Sequence, residues 1–305
     1  MEAKTIFAEI FAVIIIVLLL GYSSYYFASE ELEFSANPRN YNFSVNNTDN
    51  NNMQFYPNMR YPNREITYRI YNCEKKKSQD MEDAFGIMEN LTILKFNEVS
   101  DNEELYITCN ETTRFKKNMF IAGEAGPSWT VRAGWYNIIL RGEILLMLDS
   151  GCERPNIAIH ELLHALGFNH SNNPNNIMYP ISSCKQTIGE EIPQLINEIY
   201  STESLPDLVV ENASAHKHGL FLDINISVRN VGLNNASSAI INIISNEKII
   251  KQIGLEGIEI GKGRIITLTS LLLTKLNADE IIISIDSADR ELDKKNNNIT
   301  LEIIS

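Results

Sequence analysis

The spacing of apolar and polar positions divides this 305-residue chain into four stretches. From Ile10 to Ala28 no charged residue occurs, and as helix that run would span about 28 Å, close to one bilayer core. Residues 29–63 are rich in asparagine, contain proline and lack apolar periodicity, which predicts an extended spacer. Mixed periodicity follows. ITYRIY (66–71), LKFNEV (94–99), LYITC (105–109), MFIAG (119–123) and YNIILRGEILLML (136–148) have strand character, whereas KKKSQDMEDAFGIMENL (75–91) spaces Met81, Phe85 and Met88 as a helix does. Two more helical stretches lie at NIAIHELLHALGF and at 190–200. The expectation over 64–203 is an α+β domain with a five-stranded mixed sheet and three helices. Beyond Pro206 the pattern turns to alternation in DLVV, LFLDINISVRNVG, SSAIINIIS, KIIKQIGLE, GRIITLTSLLL and EIIISID. About seven short strands with Gly, Asn and Lys at the turns predict an all-β, immunoglobulin-like sandwich over 204–305.

Composition narrows the classes. Hydrophobic side chains make up 44%, enough for a sizeable core, which excludes wholesale disorder. The net charge of −13, with no dense Lys or Arg run, excludes a nucleic-acid partner. Around the apolar N-terminal run, Lys4 precedes, Tyr22, Tyr25, Tyr26 and Phe27 crowd the far end, and Glu30, Glu31 and Glu33 follow. That profile predicts a single-pass membrane anchor over 1–28 with the bulk of the chain on the extracellular face. Glu9 fits it least well. The alternative is secretion after signal cleavage, although Tyr26 would occupy the −3 position of a cut after Ala28. Eight sequons outside the histidine-rich segment suit an outside location, but an Asn-rich chain also generates them by chance.

The chemistry concentrates at NIAIHELLHALGFNHSNNPNNIMYP, which starts at Asn156. His160 and His164 lie four apart, so both imidazoles leave one helix face and can grip one ion, with Glu161 placed to reach a water on it. Gly167 permits a left-handed turn that brings His170 back as a third nitrogen. Three imidazoles leave tetrahedral Zn2+ one open position, as in a catalytic site. A chance match at all five positions is on the order of one in 10^5. His216 and His218 are the remaining histidines and read as a solvated polar turn, with metal binding as the other option.

HELLHALGFNH fits the pattern HExxHxxGxxH, and with IMYP after it the segment resembles the metzincin metalloproteases, the MYP form being most similar to matrixins. The resemblance covers about residues 60–202. It implies His160, His164 and His170 as zinc ligands, Glu161 as general base and Met178 as a non-coordinating floor beneath the metal. It further implies structural Ca2+, for which no residues are assigned here. GEAGP (123–127) and the Cys152 and Cys184 flanks are similar to archaeal and bacterial matrixin-like proteins. No cysteine precedes Cys73, so a cysteine switch is not implied. Tyr179 follows Met178 directly, whereas the switching tyrosine of astacins comes two residues after the methionine, where this chain has Pro180. No tyrosine role is therefore carried over. PDLVV, VRNVG and the stretch 286–298 resemble CARDB modules of prokaryotic surface proteins.

The implied activity is zinc-dependent hydrolysis of a protein or peptide, whose extended chain adds as a strand to a sheet edge near 119–125. A surface adhesion or assembly protein with a structural zinc domain is the rival, and a zinc hydrolase of a non-peptide substrate is a third reading. Glu161 favours the enzyme, because a structural site has no use for a base. The C-terminal sandwich is expected to meet a surface glycan or a protein partner. In an oxidising compartment the four cysteines pair in one of three ways. Cys73 with Cys109 and Cys152 with Cys184 are favoured because each joins segments near in sequence, and four reduced buried thiols are the alternative.

Overall fold

A computed structural model of the chain describes residues 15, 31–36, 53–110, 114–116, 119–148, 151–273 and 280–303. The expected anchor over 1–28 lies outside the described residues apart from Ile15. Among the described residues no helix is long and apolar enough to cross a membrane. The chain folds as two compact units, one of residues 42–206 and 231–235 and the other of 1–41, 207–230 and 236–305. The first strand, β1 (Glu31–Ala36), belongs to the second unit.

The first unit contains β2 (Met59–Arg60), β3 (Glu65–Tyr71), α1 (Lys75–Leu91), β4 (Lys95–Glu98), β5 (Leu105–Cys109), β6 (Arg114–Lys116), β7 (Met119–Ile121), β8 (Gly123–Ala133), β9 (Tyr136–Leu146), α2 (Asn156–Ala165) and α3 (Glu191–Ile199). Met81, Ala84, Phe85 and Met88 recur every three or four residues and put one face of α1 into the core. The helix stops at Thr92, whose hydroxyl donates to Met88 O at 2.8 Å. It connects the parallel pair β3 and β4. The sheet runs β2-β9-β5-β3-β4, and β8 lies antiparallel on β9.

Two expectations are corrected here. The sheet has six strands, and Met119–Ile121 leaves it to pair with Arg114–Lys116 as a separate hairpin. The antiparallel edge is β8, which runs through Pro127 and shifts register between Pro127 and Trp129. Proline and glycine suggest a turn there, yet an edge strand tolerates both where the ladder bulges. The spacer also shrinks at its far end. Met59 and Tyr61 are buried in the first unit's core, and the Arg60 guanidinium, itself buried, donates to the carbonyls of Tyr61, Pro62, Ile199 and Thr202.

The second unit contains β10 (Leu208–His218), β11 (Phe221–Asn230), β12 (Ala239–Ser245), β13 (Lys248–Leu255), β14 (Gly263–Leu272), β15 (Glu280–Ser287) and β16 (Asn298–Ile303). The expected immunoglobulin-like sandwich is built from one continuous ladder, β13-β12-β15-β16-β1-β10-β11-β14, antiparallel throughout. β1, expected as spacer, joins its two halves. Alternate residues such as Ala213, Ala215, Ile224, Ile226, Ile241, Ile243, Ile281 and Ile283 from both halves share one core.

The start of β10 is held by buried carboxylates. Glu291 accepts from the Leu208 N–H at 2.7 Å and from Asn297 Nδ2 at 3.1 Å, while Asp207 accepts from Asn296 Nδ2 at 2.9 Å. Burial, reinforced by the Glu291 and Asp293 charges, raises the Asp207 pKa to about 6. Its protonated form is favoured by folding, so its stabilising contribution is full below the unfolded value and is lost as pH rises through about 6. In denaturant titrations the unfolding midpoint of this unit should fall between pH 4 and pH 7. Asp207→Asn should remove that fall; an equal pH dependence in the variant would contradict the assignment.

Candidate metal centre

α2 buries Ala158, Ile159, Leu162, Leu163 and Ala165, which anchors the helix firmly enough to fix the angle of its polar side chains. It ends in a Schellman turn. Gly167 has φ +95°, its N–H donates to His164 O at 2.9 Å, and the Phe168 N–H donates to Leu163 O at 2.9 Å. A Cβ on Gly167 would also meet the Met59 side chain at 2.7 Å, so both space and torsion demand glycine. The chain thereby doubles back and delivers His170.

His160, His164 and His170 converge, each offering one nitrogen within 4.8 Å of the others. His160 Nδ1 donates to Ile177 O at 2.7 Å and His164 Nδ1 donates to Phe168 O at 2.8 Å. A carbonyl can only accept, so each Nδ1 carries the proton and each Nε2 keeps a lone pair. His164 Nε2 faces His170 Nε2 at 3.1 Å. Two ligand nitrogens on tetrahedral zinc stand about 3.3 Å apart, given bonds of about 2.0–2.1 Å. The donor set and its spacing therefore fit Zn2+. Burial lowers all three histidine pKa values, and it takes His164 to about 4 with help from the neighbouring imidazoles, so the rings are neutral near pH 7.

Glu161 is 5% exposed and its pKa is raised to about 8, first by burial and then by the Glu124 charge. Gly123, where β8 begins, makes room for it, since a Cβ there would come within 2.7 Å of Glu161 Cγ and Oε1. The motif GEAGP contains this glycine, and a glycine within a strand is the signal of such a close approach. Sequence reasoning missed Phe55, whose ring stacks on His164 with centroids 5.8 Å apart. Nothing periodic around Phe55 announces it.

Met178 is buried in the same core, and its backbone closes the loop below the histidines: Met178 O accepts from the Ser171 N–H at 2.8 Å. The asparagines of that loop have local roles, as when Asn176 Oδ1 accepts from the Met178 N–H at 2.8 Å. Two disulfides brace the unit. Cys73–Cys109 joins the ends of β3 and β5, and Cys152–Cys184 ties the segment before α2 to the loop after Met178. Among the described residues, the histidine triad is the one group of three or more His, Cys, Asp or Glu with ligand atoms so close.

Residues 60–200 match the family model of the matrixin peptidases. Over this segment the chain resembles the matrixins. Rat (Rattus norvegicus) macrophage metalloelastase is 26% identical over 186 residues, covering 52% of this chain and 36% of that protein, so the chain spans about a third of that relative's length. Among solved structures, the CARDB domain of a Pyrococcus furiosus protein, in complex with di-metal ions, is similar at 17% identity and TM-score 0.26, covering 33% of this chain and 88% of that one. High choriolytic enzyme 1, a hatching-enzyme zinc protease of Oryzias latipes, is similar at 21% identity and TM-score 0.23, covering 36% and 46%.

The matrixin-like domain should bind zinc at the triad, and His164→Ala should lose most of that zinc by equilibrium dialysis. In the metal-free protein the His164 ring should titrate near pH 4 by NMR, as burial requires. A midpoint near the ordinary value of about 6.5 would contradict the desolvated site.

Proposed function

We propose that this chain is a zinc-dependent endopeptidase, held at the membrane by residues 10–28 with its catalytic domain outside the cell. The observation that carries the activity is the pairing of three converging neutral imidazoles with a buried carboxylate one residue after the first of them. A structural zinc site would fill its fourth position with another side chain and would not need Glu161. Two disulfides support an oxidising compartment, and the uncharged run 10–28 supports the anchor.

When bound, zinc would polarise the substrate carbonyl and lower the pKa of a coordinated water toward about 7. His160, His164 and His170 are the residues that would hold it. Glu161 acts on the proton: its carboxylate accepts from the attacking water and delivers to the leaving amine nitrogen. In the metal-free chain burial raises the Glu161 pKa, which favours uptake of a proton by its carboxylate. The substrate lies along β8, which lies antiparallel on β9 at the margin of the sheet. Main-chain hydrogen bonds to that edge would hold an extended peptide with little regard for its side chains. Because Gly123 touches Glu161, the strand that binds the peptide also fixes the distance from its carbonyl to the base.

Cleavage of a peptide library by the purified chain, abolished by chelator and restored by zinc, tests the activity. Glu161→Ala should retain zinc and fold while losing about 10^2- to 10^4-fold in kcat. Gly123→Ala should also retain zinc but lower kcat by displacing the carboxylate. Wild-type cleavage rates in Glu161→Ala would eliminate it as the base, and wild-type rates in Gly123→Ala would show that the contact is not needed.

A further inference from the structure

His216 and His218 do not sit on a polar turn, as their sequence context suggests, but on strand β10. Lys217 between them is buried and the two histidines are not, so both rings stand on the outer face of the sheet. The β10–β11 register places Asp223 directly opposite His216, and Asp223 Oδ2 lies 3.9 Å from His218 Nδ1. Asp223 is oriented by its other oxygen, which accepts from the Ser270 N–H at 2.7 Å. On the opposite flank the β1–β10 register sets Glu33 across from His216 and Glu31 across from His218.

We propose that His216, His218 and Asp223 form a second metal site, on the outer face of the second unit, for a divalent transition ion such as Zn2+ or Ni2+. Two imidazoles two residues apart on a strand, with a carboxylate from the neighbouring strand, supply the mixed nitrogen and oxygen donors that such ions prefer over Ca2+ or Mg2+. The ring centroids are 6.5 Å apart, against 4.6 Å for His160 and His164, so the site closes by rotation of the rings. His218 and Asp223 have side chains 42% exposed, which leaves them room to rotate. This inference is independent of the proposed peptidase activity.

Equilibrium dialysis of the full chain against ZnCl2 tests it, with CaCl2 as the contrasting ion. The wild-type chain should bind about two zinc ions, the His160→Ala/His164→Ala variant about one, and the His216→Ala/His218→Ala variant about one. Calcium at the same concentration should not displace the ion lost in that last variant. Because the histidines are on a surface strand, circular dichroism should report an unchanged fold, and His216→Gln/His218→Gln gives the same reading with the side-chain bulk kept. The proposal is overturned if the wild-type chain binds a single ion that His160→Ala/His164→Ala abolishes. It is equally overturned if the second ion survives replacement of both strand histidines.

Discussion

Three imidazole nitrogens whose lone pairs point toward one another repel unless a cation lies between them, and the first unit is organised to hold them that way. The helix supplies two nitrogens four residues apart. The Schellman turn at Gly167 returns the third. Carbonyls of Ile177 and Phe168 take the Nδ1 protons of His160 and His164, which leaves the Nε2 lone pairs of those two rings facing inward. Burial then keeps the rings uncharged. Each device works on a different atom, and together they leave a donor set that fits Zn2+.

The second constraint is distance between the helix and the edge strand. Glu161 lies against Gly123, so its carboxyl and the start of β8 are set by one contact. The disulfides act one layer further out. Cys152–Cys184 bridges a separation of 32 residues and ties the loop carrying Ile177 and Met178 to the segment that starts α2. Closing a loop of that length removes denatured-state entropy worth about 3 to 4 kcal/mol in the chain-entropy model.

What the sequence disclosed depended on whether a feature was local. His160, Glu161, His164, Gly167 and His170 were legible because helical period and one glycine turn fix their geometry within a few residues. The helix at 75–91 was legible from the spacing of Met81, Phe85 and Met88. The edge strand was hidden, because Gly126 and Pro127 signal a turn unless one knows that the strand bulges. Residues 53–61 were hidden as well, since Met59 and Tyr61 are buried by contacts from distant segments and show no period of their own. β1 escaped notice because its pairing with β10 and β16 crosses most of the chain. The strand address of His216 and His218 was lost for a related reason: polar alternation on a sheet's outer face looks the same as a loop.

The account turns on a three-imidazole site with one position open to water and substrate. X-ray absorption at the zinc edge, on protein carrying one equivalent of zinc in the His216→Ala/His218→Ala background, measures that directly. The expected first shell is three nitrogens at about 2.0–2.1 Å and one oxygen that exchanges with added ligand. A shell of four protein ligands, or one containing sulfur, would contradict it.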